Sequence, residues 1–284
     1  MTARLLDGEA LAAIIRAEVA EGVARLKDKG VTVGLGTILV GEDVPSSRYV
    51  QMKHQDSAEV GMTSVHEHLP ADVTQAELTA VIDRFNADPT VHAYLVQLPL
   101  PPRLDEEAAL LRVDPTKDVD GLHPVNLGRL VMGRPGLLPC TPAGIVELLS
   151  HYGVQVEGRS VVVVGRGLTI GRPLALLLSL KRPGCNAAVT VVHTGVPDLG
   201  DYVRRAEVVV AAAGRAGLIT ADMVKPGAAV VGAGTSWEGR RLLSDVDEAV
   251  AEVAGWITPR IGGVGPMTRA MLLRNALQAA EGAA

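Results

Sequence analysis

"VVVVGRGLTIG", residues 161–171, sets four successive valines before a run with glycine at 165, 167 and 171. Consecutive β-branched residues suit a strand buried on both faces, as in a parallel sheet. Gly165 and Gly167 permit a tight turn and close approach of backbone. The apolar "GRPLALLL" (171–178) that follows reads as a packed helix. A strand, a glycine turn and a helix amino terminus together present backbone N–H groups to an anion, as in sites that hold a dinucleotide pyrophosphate. Gly171 stands one place later than the third glycine of GxGxxG, so the spacing alone is weak and the context carries the reading.

Three more extended segments follow: "AAVTVVHT" (187–194), "AEVVVAAAG" (206–214) and "AAVVGAG" (228–234). The first ends in His193 and Thr194, without the acid that usually holds the ribose 2'-hydroxyl of NAD. Arg166 stands inside the glycine turn, where it could meet a 2'-phosphate. NADP is therefore favoured over NAD.

Upstream, helical and extended patterns alternate. "DGEALAAIIRAEVAEGVARLKDKG" (7–30) reads as a helix capped by Asp7 and stopped by Gly30. "GLGTILVG" (34–41) reads as a strand, then comes a helix ending at Gly61, then the strand "MTSVHEHL" (62–69). Thr74 and Glu77 form a capping box for the next helix, and "HAYLVQLPLPP" (92–102) is a strand running into a Pro-rich loop. In "PCTPAGIVELLSHYG" (139–153), Thr141 is expected as N-cap and Pro142 as first helical residue. The pattern predicts an α/β protein of two domains, an N-terminal α/β domain and a Rossmann-type dinucleotide-binding domain. The expected boundaries are 1–141 plus the C-terminal helix 266–284 for the first, and 142–265 for the second.

The totals narrow the function. Apolar residues make up 48% of the 284 and aromatic residues only 2%, so the core must be Ala, Val, Leu and Ile. A net charge of -5 offers no polybasic face for nucleic acid. The two cysteines, Cys140 and Cys185, are too few for a disulfide framework. Neither a signal peptide nor a membrane span is legible, and a soluble protein of a reducing compartment is expected.

Tyr49 and Lys53, in "SSRYVQMKHQ" (46–55), share a helix face at i, i+4. Short-chain dehydrogenases use that spacing, but there the pair follows the glycine turn, and here it precedes it. Other polar features gather at strand ends and loops. Gln97 ends an apolar strand, Asp118 and Asp120 alternate in "KDVDG" (117–121), and "GGVGPMT" (262–268) packs three glycines before a helix. His66 and His68 could share a strand face, but no third ligand is visible and they are expected to be exposed, with no metal site.

"YVQMK", "LVQLPLP", "KDVDG", "PCTP", "VVVVGR" and "GGVGPMT" occur in that order over nearly the whole chain. In this the sequence resembles the bifunctional methylenetetrahydrofolate dehydrogenase/methenyltetrahydrofolate cyclohydrolases. The resemblance implies that the N-terminal α/β domain is a substrate domain, with a cleft between it and the dinucleotide-binding domain. It also implies NADP-dependent oxidation of 5,10-methylenetetrahydrofolate, then hydrolysis of the methenyl product to 10-formyltetrahydrofolate. It implies catalytic roles for Lys53, Gln97 and Tyr49, with Tyr49 stacking on the folate. Asp120 would pair with the pterin, and Gln97, Gly262 and Pro266 would also border the substrate. It further implies cofactor contacts from Gly165, Arg166, Gly167, Ile170, Gly171, His193, Thr194 and Gly214, and a cytoplasmic homodimer. Departures fall on the cofactor side: Gly167 replaces the usual serine of the turn, Thr194 replaces a serine, Arg260 and Ile261 precede "GGVGPMT", and Gly232 replaces an aspartate. A cyclohydrolase with weakened or altered dehydrogenase, a non-catalytic folate or nucleotide binder, and an unrelated NADP oxidoreductase on the same scaffold are the alternatives.

Overall fold

The computed structural model describes residues 3–42, 44–239 and 241–283; at 44–46 and 48 only the backbone is described. In chain order the elements are β1 (Arg4–Leu5), α1 (Gly8–Asp28), β2 (Gly34–Val40), α2 (Val44–Glu59), β3 (Thr63–Leu69), α3 (Gln75–Ala87) and β4 (Ala93–Val96). Then come α4 (Glu106–Arg112), α5 (Pro124–Val131), α6 (Cys140–His151), β5 (Ser160–Val164), α7 (Gly171–Ser179), β6 (Ala188–Val192), α8 (Leu199–Val203) and β7 (Val208–Ala211). The last are β8 (Ala229–Gly232), β9 (Thr235–Glu238), β10 (Arg241–Ser244), β11 (Trp256–Ile257) and α9 (Val264–Ala283). The chain divides into two compact units. One comprises residues 1–13, 130–134 and 139–268; the other comprises 14–129, 135–138 and 269–284.

In the second of these, β3-β2-β4 form a parallel sheet. Every residue of the central β2 is buried, as a strand covered on both faces requires. One face packs on α3 and α4 through Ile38, Val40, Leu78, Ile82, Phe85 and Ala109. The capping box at Thr74 and Glu77 is present in both directions. "KDVDG" lies beside β4: Tyr94 N donates to Lys117 O, and Tyr94 bridges Asp118 in parallel. That register carries Asp120 toward the end of β4.

In the other unit, six parallel strands take the order β1-β11-β8-β7-β5-β6. The chain moves from β5 outward to β6 and returns to the other side at β7, so the strand order reverses between β5 and β7, where ligands of open α/β sheets bind. Two features were not legible in the sequence. The two-residue β1 extends this sheet beside β11, with the Arg4 guanidinium 3.9 Å over the Trp256 ring, and β9-β10 form an antiparallel hairpin. The Thr141 cap is corrected: α6 begins at Cys140 behind Pro139, without a side-chain cap. The Thr141 hydroxyl is engaged instead by the Thr268 hydroxyl at 2.8 Å.

Candidate active site

Lys53 lies in the middle of α2, half-buried. Its Nζ donates to Gln97 Oε1 at 3.2 Å. Gln97 is placed by its backbone, since its N–H continues the β2–β4 ladder onto Ile38 O. Its side-chain orientation follows from a second bond, Nε2 donating to Leu98 O at 2.8 Å. That bond sets which way the carboxamide faces, so the atom turned to Lys53 is its oxygen, an acceptor. An amine held through one N–H keeps its lone pair, once deprotonated, free for another proton. Tyr49, one turn earlier, is 54% exposed, which leaves its ring face open to a flat ligand.

The two aspartates of "KDVDG" divide the work. Asp118 is buried, and its Oδ2 accepts from His123 N at 2.8 Å and from Asn126 Nδ2 at 2.9 Å, so it organises the turn. Asp120 keeps some surface but its carboxyl lies in packed surroundings, and burial pushes it above the usual aspartate range. The nearby Lys53 opposes that shift, and Asp118 adds to it. Lys117, close in sequence, is structural: its Nζ donates to Phe85 O and Asp88 O, closing the carboxyl end of α3.

Behind Lys53 is a group that sequence reasoning missed. The buried Thr37 hydroxyl lies 2.9 Å from His54 Nε2 and 2.8 Å from His66 Nδ1. Both imidazoles are held below the ordinary histidine value, by burial first and by a neighbouring imidazole second. His66 and His68 are exposed overall, as expected, yet the Nδ1 edge of His66 is turned in to Thr37 and His68 Nε2 reaches Gly41 O. No group of three or more His, Cys, Asp or Glu among the described residues is arranged to hold a metal ion. Asp56, one turn after Lys53, meets Arg269 of α9 at 3.3 Å. Neither contact was visible in the sequence, because each joins residues far apart in it.

The glycine turn of the other unit fits a dinucleotide. Gly165 has φ +121°, and a Cβ there would stand 2.2 Å from Ala212 O. A Cβ on Gly171 would stand 2.2 Å from Gly165 O, so α7 packs directly on the turn. Nothing lies within 4 Å of a Cβ on Gly167, so that position faces open space. Ile170 is the N-cap of α7 and no side chain caps the helix, which leaves its amino end to an anion. Arg166 is exposed. His193 Nδ1 accepts from Gly195 N at 3.0 Å, so when neutral its proton is on Nε2, a donor suited to a phosphate oxygen. Thr194 is exposed beside it, and Gly214 follows β7 with φ +68°. Gly262 has φ +83° and its carbonyl accepts from Glu9 N, while Pro266 lies in the first turn of α9. The space at Gly232 is not empty: a Cβ there would meet Ser244 Oγ at 2.6 Å, and Gly232 N donates to Thr258 Oγ1. Arg260 is tied to the hairpin through Leu242 O.

A glycine-turn parallel sheet and a separate α/β unit with a lysine–carboxamide pair define a two-unit, dinucleotide-dependent enzyme. Two family models match this chain: the tetrahydrofolate dehydrogenase/cyclohydrolase catalytic domain over residues 6–120 and the NAD(P)-binding domain of the same enzymes over residues 139–284. The chain belongs to the tetrahydrofolate dehydrogenase/cyclohydrolase family. The bifunctional protein FolD of Syntrophotalea carbinolica is 59% identical over 281 residues, 99% of this chain and 97% of that one. The FolD crystal structure from Campylobacter jejuni superposes with a TM-score of 0.94 at 42% identity, covering 98% of each chain. The Trypanosoma brucei FolD, complexed with NADP cofactor and inhibitor, gives 0.93 at 41% identity over 99% of this chain and 98% of that one.

Proposed function

We infer that this chain carries out both steps of its family, NADP-dependent oxidation of 5,10-methylenetetrahydrofolate to the methenyl form and hydrolysis of that cation to 10-formyltetrahydrofolate. The observation that carries the hydrolytic half is the Lys53–Gln97 bond, with the amide nitrogen of Gln97 already committed to Leu98 O.

Lys53 is the group that takes up the proton of the attacking water. A lysine does this only as the neutral amine. Gln97 holds the amine in place through its oxygen without occupying the lone pair. Asp120 accepts the paired N–H donors of the pterin, and Tyr49 supplies a flat apolar face. NADP, when bound, supplies the hydride acceptor for the first step. Gly165, Gly167, Ile170 and Gly171 would cradle its pyrophosphate at the amino end of α7, with Gly214 beside it. Arg166, His193 and Thr194 would meet the 2'-phosphate. Gly262 and Pro266 would border the substrate.

Residues 14–129 and the carboxyl-terminal part of α9 would form the substrate unit, and 142–265 the core of the cofactor unit. The family resemblance supports a homodimer in the cytoplasm. Among the described residues no helix is long and apolar enough to cross a membrane.

The test is one assay with 5,10-methylenetetrahydrofolate, run with NADP and separately with NAD, following reduced nicotinamide and methenyl product together. Wild-type protein is expected to reduce NADP without accumulating methenyl. Lys53→Met is expected to keep the reduction and accumulate methenyl, with hydrolysis lowered at least 100-fold. Unimpaired hydrolysis in the mutant would remove Lys53 from the second step. Absence of reduction with either nucleotide would leave a cyclohydrolase only.

A further inference from the structure

Asp245 is fully buried at the end of the β9–β10 hairpin. Its Oδ2 accepts from Ala213 N at 2.7 Å and Gly214 N at 2.9 Å, the loop that leaves β7. Its backbone N–H donates to Gly234 O in the loop that leaves β8, and that loop is itself bonded to Ala211 O. Gly234 is glycine for a local reason: a Cβ there would lie 1.9 Å from Asp245 Oδ2. The carboxylate thus occupies the junction of the two loops at the carboxyl ends of β7 and β8. Among the described residues its other oxygen, Oδ1, is buried without a hydrogen-bond partner.

A buried charge with half its acceptor capacity unused is expensive, and proteins retain one where an opposite charge arrives. No lysine or arginine among the described residues forms an ion pair with Asp245. In an open sheet of this type the dinucleotide crosses the point where the strand order reverses, here between β5 and β7. Its pyrophosphate belongs at the β5–α7 turn, with one half of the molecule over β5 and β6 and the other over β7 and β8. His193 and Arg166 mark the β5–β6 side for the adenosine phosphate, which leaves the β7–β8 side to the nicotinamide. The oxidised nicotinamide ring carries a positive charge and the reduced ring does not.

We propose that Asp245 is a positioning residue of the dinucleotide site that also supplies the fixed countercharge for the oxidised nicotinamide, so that this chain binds NADP+ more tightly than NADPH. The carboxylate acts through the Ala213–Gly214 backbone and through its field, in surroundings of low polarity where a charge is felt strongly. Arrival of the hydride neutralises the ring, removes the attraction and loosens the reduced product. The inference rests on the dinucleotide reading of this unit.

The experiment measures dissociation constants for NADP+ and NADPH by calorimetry with wild type, Asp245→Asn and, as control, Asp247→Ala. Asp247 lies two residues away, and among the described residues its side chain accepts only from Ala249 N, through Oδ1. Asn keeps an oxygen for the two backbone N–H groups and removes the charge. Wild type is expected to favour NADP+. Asp245→Asn should weaken NADP+ about tenfold and NADPH less than about twofold. Asp247→Ala should leave the affinity ratio as in wild type. Equal weakening of both forms would reduce Asp245 to a loop support and overturn the proposal, as would no weakening of either. A wild-type ratio at or below one would overturn it whatever the variants do, including a variant that fails to fold. Failure of wild type to bind either form would instead overturn the dinucleotide reading.

Discussion

Asp120 and Asp118 are separated by one residue and have opposite circumstances. Asp118 is satisfied by a backbone N–H and an asparagine amide, whereas Asp120 is raised above the usual aspartate range by burial, against the pull of Lys53. A carboxyl with a raised folded value binds its proton more tightly in the native than in the unfolded chain. Its contribution to stability is therefore neutral below the ordinary aspartate range. It becomes unfavourable as pH rises from that range through the raised folded value, and stays so above it. Asp120→Asn should melt higher than wild type at pH 7 to 8, with the difference shrinking as pH is lowered toward 4. The same variant should bind the folate more weakly, since an amide offers one acceptor where the carboxylate offers two. Melting curves that run parallel at all pH values would show that the carboxyl is not strained by its surroundings.

Helix α2 holds Lys53 because it is fixed on more than one side. Lys53 bonds to Gln97 beyond β4, while His54, the next residue, meets Thr37 on β2 and through it His66 on β3. One hydroxyl has one proton, so Thr37 donates to one ring and accepts from the other, an arrangement available to neutral imidazoles. The charged groups near this cluster are His68, which lowers His66, and Glu67, which raises it; burial is the larger effect for both rings. A histidine depressed in the fold binds its proton more readily when unfolded. Stability is thus complete above the ordinary value of 6.5 and is lost as pH falls below it toward the depressed folded values. Wild-type protein should melt progressively lower from pH 7 to 5.5, and the double variant His54→Gln, His66→Gln should show a shallower slope. His92, also depressed by burial, would supply the remainder. An unchanged slope would mean that these rings titrate freely. Local elements were legible from the sequence: Asp7 capping α1, the Thr74–Glu77 box, the valine strand and its glycine turn each depend on residues a few places apart. What was not legible depends on distant partners. Thr141 has the chemistry of a cap, yet its hydroxyl is claimed by Thr268, 127 residues on. Lys53 and Gln97 were brought together by the family resemblance alone, because the residues around each do not show a bond that exists only once β4 lies beside β2. His54 carried no signal at all, because its partner Thr37 reads as an ordinary strand residue.

At the scale of the whole molecule the chain changes unit five times, at residues 13/14, 129/130, 134/135, 138/139 and 268/269. Neither unit is a continuous stretch, so each is closed by side chains that bind remote segments of backbone. Asn275 does this for the unit that holds Lys53. It is buried on α9, and its Nδ2 donates to Val119 O at 2.9 Å and to Leu138 O at 2.8 Å. Val119 is the residue between the two aspartates, so this amide fixes from behind the strand-like segment that presents Asp120. Asn275→Leu fills a similar volume but strands two carbonyls, each worth about 1–3 kcal/mol when left without a donor. A loss of about 3 kcal/mol, or roughly 6–12 °C in melting temperature, is expected. Because the damage reaches Val119, the KM for the folate substrate should rise as well, while the dissociation constant for NADP+, set by residues of the other unit, should stay within about twofold of wild type. A variant that loses stability with both constants unchanged would show that Asn275 closes the unit without holding Asp120 in place.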